Sequence, residues 1–128
     1  MIGLVLVSHS NKIAEGAKEM ALQMAAEVSI EAAGGTADGR IGTDVDKIVN
    51  AINKAYSEDG VLILFDLGSA VMNAEMAIEF IDSNKQDKVK IIDCALVEGA
   101  ILAAVESSIG NDINKIEEAL KELKLNKM

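Results

Sequence analysis

The sequence predicts an α/β fold in three layers, with a mainly parallel sheet that carries helices on both faces. Apolar runs without polar alternation at residues 2–7 and 60–65 are typical of strands that are buried on both sides. Helical patterns alternate with these runs, which indicates βαβ units joined by right-handed crossovers. Because the first and third strands are the most apolar, we place them centrally and expect the strand order 2-1-3-4.

The elements follow one another without a linker, so we assign residues 1–128 to one domain. The predicted strands lie at residues 2–7, 28–32, 60–65 and 89–93. The predicted helices lie at residues 11–26, 45–56, 70–82 and 96–109, with a last helix from residue 111 or 112.

Local signals refine these assignments. Ser10 is a suitable N-cap for the first helix, and Met20 and Met24 fall on its apolar face, which we assign to the core. Residues 43–46 resemble a capping box that begins at Thr43. The glycine-rich segment 33–42 is a long loop of the kind that often serves a function.

Composition narrows the classes of partner. Half of the residues are hydrophobic but only 2% are aromatic, so the core must be built from Ala, Val, Ile, Leu and Met. The formal net charge of -9 argues against nucleic acid and anionic membranes, which attract basic surfaces. An acidic surface of this kind fits docking on a basic protein partner.

Several kinds of site lack support in the sequence. Cys94 is the single cysteine, so we interpret it as a small buried apolar residue in a reducing compartment. No zinc, calcium or Walker-type spacing is present, and we expect neither a metal nor a cofactor. Without a targeting segment or a membrane-spanning run, we expect a cytoplasmic protein.

The chemistry is predicted at His9, the only histidine, which directly follows the first strand. Asp66 follows the third strand, and ligands of open α/β sheets bind in the crevice at the carboxyl ends of the strands. A neutral imidazole is a nucleophile toward phosphorus, and the positive end of the first helix disfavours the imidazolium. We therefore predict that His9 carries a phosphoryl group and that Asp66 orients its ring.

The incoming phosphoryl group is an anion and needs hydrogen-bond donors. The starts of the first and third helices supply backbone N–H groups, Gly68 lets a backbone come close, and Ser8, Ser10 and Ser69 supply hydroxyls. On these residues alone, other interpretations stay open. The histidine could be a plain turn or cap residue, and Asp66 could be a charge at a helix start.

Five motifs together resemble the mannose-type IIA family of the bacterial sugar phosphotransferase system. Within that family, the chain is similar to the phosphotransferase subunits of phosphoenolpyruvate-dependent dihydroxyacetone kinases. The motifs are LVLVSHS at 4–10, GGT at 34–36, IGT at 41–43, DLGSA at 66–70 and LVEGA at 96–100. They occur in this order over nearly the whole chain, which makes the resemblance specific.

The resemblance implies that His9 accepts a phosphoryl group from the phosphocarrier protein HPr. His9 would then pass the group to ADP on the nucleotide-binding subunit of the kinase. It also implies that Asp66 orients the histidine, that Gly35, Thr36 and Ser69 contact the phosphate, and that the domain is a homodimer. Relatives commonly carry proline where this chain has Ala95, which puts the rigidity of that turn in question.

Three alternatives remain open at this point. A sugar-permease IIA domain shares the chemistry and differs only in its acceptor, although the helix start at 68–70 favours the kinase subunit. A response-regulator-like module would use Asp66 as its phosphoacceptor, but it also needs acidic metal ligands after the first strand. In a non-catalytic dimerisation module, the turn at 8–10 would be purely structural.

Overall fold

A computed structural model describes residues 1–128 and contains one four-stranded sheet. The strands are β1 (Gly3–Ser8), β2 (Ile30–Gly34), β3 (Val61–Phe65) and β4 (Val89–Ile92). All three pairings are parallel and the order is β2-β1-β3-β4, which confirms the predicted fold class. β1 and β3 are the central strands and every residue in them is buried, as their unbroken apolar runs predict.

Helices cover both faces of the sheet. They are α1 (Asn11–Met24), α2 (Val45–Ala55), α3 (Ala70–Phe80), α4 (Leu96–Ser108) and α5 (Ile113–Leu120). Leu4 and Leu6 of β1 pack in one apolar cluster with α1, α4 and α5, whereas Val5 and Val7 pack in the other with α2 and α3. Alternate side chains of one strand thus supply both cores, because successive residues of a strand point to opposite faces.

The second strand lies two residues later than predicted, at Ile30–Gly34 instead of 28–32. It continues to Gly34 because this residue passes directly under the start of α1. A Cβ atom there would lie 2.6 Å from the Ser10 carbonyl oxygen and 2.7 Å from Asn11 Cα. Only glycine allows β2 to run this close to the helix that follows His9.

The assignment of Met20 and Met24 to the core is wrong. Both side chains are more than half exposed, and no methionine of the chain is among the buried residues. Instead α1 buries its alanines, Ala14, Ala17 and Ala21. These short side chains let the helix lie close to the sheet and to α4, whose buried face is also rich in alanine, so the longer side chains point outward.

Two helix-capping residues are predicted from the sequence, Ser10 and Thr43, and the second of these assignments is wrong. The Ser10 hydroxyl accepts a hydrogen bond from the Ile13 N–H at 3.3 Å, which confirms this residue as the N-cap of α1. α2 is capped by Asp44, whose carboxylate accepts from the Asp46 N–H at 3.0 Å, and not by Thr43. Thr43 instead accepts a hydrogen bond from the side-chain amide of Asn73 on α3.

Candidate functional site

His9 lies in the tight turn between β1 and α1. Ser8, the last residue of β1, is fully buried, and its hydroxyl accepts a hydrogen bond from the Ser10 N–H at 3.0 Å. The Gly42 N–H donates to the His9 carbonyl oxygen at 2.8 Å and so ties the following loop to this turn. The backbone is therefore held on both sides, while the imidazole remains 21% exposed at the carboxyl edge of the sheet.

Asp66 faces His9 because the strands that precede the two residues are neighbours. Val7 pairs with Phe65, and the Asp66 N–H donates to the Val7 carbonyl oxygen at 3.1 Å. The β1–β3 ladder thereby extends one residue beyond β3. The Oδ1 atom of Asp66 lies 3.1 Å from Nδ1 of His9, so the structure brings together the two residues for which the sequence predicts chemistry.

The carboxylate of Asp66 receives hydrogen bonds at both oxygens. Oδ2 accepts from the Ser8 hydroxyl at 2.8 Å and from the His9 N–H at 2.9 Å, and Oδ1 accepts from the Leu67 N–H at 2.7 Å. Partial burial acts to raise the pKa of Asp66, but the hydrogen bonds from His9, Ser8 and Leu67 outweigh burial and lower this pKa. The group is therefore a carboxylate, with an acceptor aimed at the imidazole.

An ionised carboxylate accepts hydrogen bonds and donates none. Of the two neutral tautomers of the ring, the contact between Asp66 and Nδ1 therefore favours the one that carries its proton on Nδ1. On the other side of the ring, the Ser69 hydroxyl oxygen lies 2.9 Å from Nε2 and can donate its proton to that nitrogen. The Nε2 lone pair thus faces the turn at the start of α3.

Donors for an anion lie at the two helix starts next to His9. Ser69 is the N-cap of α3, and its hydroxyl makes no capping hydrogen bond within the helix. The N–H groups of Gly68 and Ser69 have no acceptor within the chain. Ser10 contributes a hydroxyl hydrogen at the start of α1, because its oxygen acts as an acceptor in the cap. Two helix starts therefore converge near His9, as expected for a group that receives an anion.

Gly35 and Thr36 direct their hydrogen-bonding groups elsewhere. The Gly35 N–H donates to the Ser8 carbonyl oxygen at 3.1 Å, and the Thr36 N–H donates to the Arg40 carbonyl oxygen at 2.9 Å. The Thr36 hydroxyl lies 2.5 Å from the Asp38 carboxylate. These bonds shape the loop beside the site, and a phosphate contact from either residue stays a prediction.

Ser8 has a different role from the one that the sequence predicts, and Lys127 is a residue of this region that the sequence does not mark. Ser8 does not offer its hydroxyl to an incoming anion, because the buried group donates to Asp66 and accepts from Ser10. Lys127 reaches the same region and donates to the Asp66 carbonyl oxygen at 3.0 Å. No sequence signal marks Lys127, because it lies in an irregular segment 61 residues from Asp66 and carries no motif.

The Ala95 turn is compatible with proline in its torsion but not in its hydrogen bonding. Ala95 has φ -57°, close to the value that a proline ring imposes. Its N–H, however, donates to the Leu123 carbonyl oxygen at 3.0 Å, a bond that proline cannot make. The turn is thus held by the segment after α5 in place of a rigid ring.

Other kinds of site find no support in the structure. Cys94 is buried, as its interpretation as a small core residue predicts, and burial raises the pKa of its thiol to about 11. No group of three or more His, Cys, Asp or Glu side chains is placed to hold a metal ion. No helix combines the length and apolar character needed to cross a membrane.

Comparisons with known proteins agree with the fold. A family model described as "PTS system fructose IIA component", of the mannose type, matches residues 3–117, a span that includes His9 and Asp66. A crystal structure of a protein described as "unknown function protein EF1359" matches with a TM-score of 0.84 and 38% identity over 98% of each chain. A sigma-54 interaction domain protein from Enterococcus faecalis, with a TM-score of 0.71 and 16% identity, shares the fold alone.

These matches define the chain as a phosphotransferase-system IIA domain, and it belongs to the mannose-type IIA family. Within this family, the predicted resemblance to the dihydroxyacetone kinase subunits called DhaM is confirmed. A DhaM phosphoryl donor subunit from Listeria innocua is 46% identical over 110 residues, 85% of this chain and 88% of the relative. A DhaM phosphotransferase subunit from Lactococcus lactis is 37% identical over 98% of each chain. The similar Escherichia coli protein is longer, and the match spans 25% of it.

Proposed function

We propose that this chain carries a phosphoryl group on Nε2 of His9, taking it from HPr and passing it to ADP on the nucleotide-binding subunit of a dihydroxyacetone kinase. One observation carries the proposal. The Asp66 carboxylate engages Nδ1 at 3.1 Å and so leaves Nε2 as the nucleophile beside the donors of the α3 start. The names of the relatives, which describe phosphoryl donor subunits of dihydroxyacetone kinases, support the same role.

The proposed reaction has two displacements at phosphorus. In the first, the Nε2 lone pair of His9 forms a bond to the phosphorus carried by a histidine of HPr, and the N–P bond of HPr breaks with its electron pair returning to that ring. In the second, a β-phosphate oxygen of ADP attacks the phosphorus on His9. The N–P bond then breaks, the electron pair returns to Nε2, and ATP forms.

Asp66 and the α3 start have separate tasks in both steps. The Nδ1 proton stays hydrogen-bonded to Asp66 throughout, and the carboxylate offsets the positive charge of the phosphorylated ring. The N–H groups of Gly68 and Ser69 and the hydroxyls of Ser69 and Ser10 are the proposed donors to the phosphoryl oxygens. Because phosphoryl transfer depends mainly on positioning and on stabilising charge, this small set suffices.

The acceptor is the point at which the rival function differs. A sugar-permease IIA domain would use the same histidine chemistry and pass the group to a IIB domain. The DhaM names of relatives that match along nearly their whole length favour the kinase subunit. We place the carrier in the cytoplasm, where ADP is found and where an unpaired thiol such as Cys94 stays reduced.

We also propose a homodimer. Met72, Met76 and Phe80 recur at every fourth residue of α3, and all three side chains are exposed. Leu67, in the turn before this helix, is exposed as well. Apolar stripes of this kind mark protein contacts.

Met76→Glu should convert a dimer to a monomer in sedimentation equilibrium, whereas the matched change Met20→Glu on α1 should not. A wild-type monomer, or a dimer that survives Met76→Glu, contradicts this interface.

Intact-mass measurement tests the carrier proposal directly. The chain is incubated with phosphoenolpyruvate, enzyme I and HPr, and we expect the mass of one phosphoryl group to be added. His9→Ala should abolish the addition, whereas Asp66→Asn should retain it at a much lower rate. Labelling of His9→Ala would overturn the assignment of the nucleophile and favour the response-regulator-like alternative.

A chase identifies the acceptor. Phosphorylated protein is mixed either with the ADP-loaded kinase subunit or with a sugar-specific IIB domain. Formation of ATP with loss of the added mass supports the proposal, and transfer to the IIB domain alone supports the rival. A His9→Gln variant that folds and still sustains dihydroxyacetone phosphorylation would instead favour the purely structural module.

A further inference from the structure

The ammonium group of Lys127 is bound by three backbone carbonyl groups. Nζ donates to the carbonyl oxygens of Phe65 at 2.6 Å, Cys94 at 2.8 Å and Asp66 at 3.0 Å. A lysine ammonium has three donors, and these bonds use all of them. The same nitrogen lies 4.5 Å from the centre of the Phe65 ring, within range of a cation–π contact.

These carbonyl groups lie where two neighbouring strands end. β3 and β4 pair up to Leu64 and Ile92, and beyond that register their backbones no longer pair as strands. Lys127 joins the two chain segments there, by bonding to Phe65 and Asp66 on one side and to Cys94 on the other. One ammonium group therefore connects the end of β4 to the turn that carries Asp66.

The segment that carries Lys127 is itself fixed at two points. The Asp93 carboxylate accepts from the N–H groups of Lys127 at 2.6 Å and of Met128 at 3.2 Å. On the other side, the Lys127 carbonyl oxygen lies against Gly68, where a Cβ atom would be 2.4 Å from it. Gly68 therefore lets the backbone of Lys127 come close, and this backbone packs against the turn from Asp66 to Ser69.

We propose that Lys127 is a positioning residue for the phosphoryl-transfer site, holding the turn from Asp66 to Ser69 so that the Asp66 carboxylate and the Ser69 hydroxyl meet the two ring nitrogens of His9. Lys127 does not contact the ring, and it acts through the backbone of the turn. The inference rests on the proposed function for its effect on transfer, but its effect on the ring does not require any partner protein.

The first test therefore observes the ring in the unphosphorylated protein. His9 is the only histidine, so its two ring nitrogens can be followed by ¹⁵N NMR without ambiguity. At alkaline pH, we expect the wild-type ring to carry its proton mainly on Nδ1. Lys127→Met keeps the length of the side chain and removes the charge, and it should shift the ring toward a mixture of the two tautomers. Lys124→Met changes an exposed lysine of the same segment and should leave the tautomer unchanged.

The second test follows phosphoryl uptake from phosphorylated HPr. We expect Lys127→Met to slow uptake on the order of tenfold or more, because small misplacements of reacting groups are costly. Lys124→Met should match the wild type. If the wild type itself fails to take up the group, the proposed function fails, whereas the tautomer measurement still decides the role of Lys127. A Lys127→Met protein that folds and keeps the wild-type tautomer and uptake rate overturns the inference. It does so even if the free energy of unfolding of this variant is lower.

A chemical rescue separates the ammonium group from general packing. Lys127→Cys is prepared with Cys94→Ala and alkylated either with 2-bromoethylamine, which restores an ammonium group, or with a neutral propyl reagent of similar length. Only the aminoethyl product should recover the tautomer and the uptake rate, and equal recovery by both products overturns the proposal. If the Lys127 variants do not fold, Asp93→Asn loosens the same segment without touching the turn. It should shift the tautomer in the same direction, and an unchanged tautomer in this variant also counts against the proposal.

Discussion

The Ser69 hydroxyl oxygen lies 2.9 Å from Nε2 of His9, while Asp66 Oδ1 lies 3.1 Å from Nδ1 of the same ring. Both partners belong to one turn between β3 and α3. The imidazole is therefore held at both nitrogens by a single short segment. The two contacts differ in kind, since an ionised carboxylate can only accept a hydrogen bond, whereas a hydroxyl can also donate one.

Ser69→Ala is expected to slow phosphoryl uptake by roughly 10- to 100-fold, because the variant loses one of the proposed donors to the phosphoryl oxygens. Protein stability should change little, since Ser69 is exposed and its hydroxyl makes no helix-capping bond. Single-turnover uptake from phosphorylated HPr, followed by intact mass, measures the effect. Ser83→Ala removes an exposed hydroxyl elsewhere and serves as the control. Wild-type uptake in Ser69→Ala would remove this residue from the site.

The lowered pKa of Asp66 makes stability depend on acidity. The pKa lies below its ordinary value of 3.8 in the folded chain, so the unfolded chain takes up a proton at this site first as the pH falls. The contribution of Asp66 to the free energy of unfolding is thus fully present above the ordinary carboxyl pKa. It is lost progressively as the pH drops through the pKa of the folded state.

Urea denaturation over an acidic pH series tests this dependence. The difference in free energy of unfolding between the wild type and Asp66→Asn should be largest near neutral pH and should shrink as the pH falls below about 5. Using the difference cancels the other carboxylates, which titrate in both proteins. A difference that stays constant across the series would show that the hydrogen bonds to Asp66 do not stabilise its ionised form.

Gly34→Ala should disturb the site through the backbone. The new Cβ atom would lie 2.6 Å from the Ser10 carbonyl oxygen, so the start of α1 must move, and His9 with it. We expect a loss of about 1–3 kcal/mol in the free energy of unfolding and slower phosphoryl uptake. The matched change Gly16→Ala lies on the exposed side of α1, where the new Cβ atom would meet no neighbouring element within 4 Å, and it should stabilise the protein by about 0.5–1 kcal/mol. Equal effects of the two changes would contradict the close approach of β2 to α1.

Cys94 should be inert in the folded protein. Burial raises the pKa of its thiol to about 11, so very little reactive thiolate forms near neutral pH. Iodoacetamide should therefore label the native chain slowly and the urea-unfolded chain at the rate of an ordinary thiol, as followed by mass spectrometry. Rapid labelling of the native chain would show that the segment over Cys94, including Lys127, opens readily.

The sequence was sufficient for the fold because β1 and β3 are long apolar runs with no competing interpretation. It was also sufficient to place His9 and Asp66 together, since both directly follow the central strands of a parallel sheet. The predicted start of β2 is too early because Val28 is apolar and buried, although it precedes the strand. The predicted end is too early because Gly34 has the character of a turn residue, whereas its lack of a side chain is needed for close packing.

Other features depend on contacts that no local pattern encodes. Met20 and Met24 have helical spacing on α1, but alanines fill the narrow space between this helix and its neighbours. The burial of the Ser8 hydroxyl depends on how β1 ends against Asp66, which decides whether it serves the carboxylate or a ligand. Lys127 is the extreme case, because only the folded chain brings it to the turn that carries Asp66.

The attachment of His9 and Asp66 to the two innermost strands has a consequence for the order in which partner proteins bind. Under the proposed function, the site has a single reacting nitrogen, so a donor and an acceptor must each present their phosphorus or oxygen to the same point in space. The two partners would then occupy overlapping footprints and exclude one another. Exchange would then follow ping-pong kinetics, in which the donor must dissociate before the acceptor can bind.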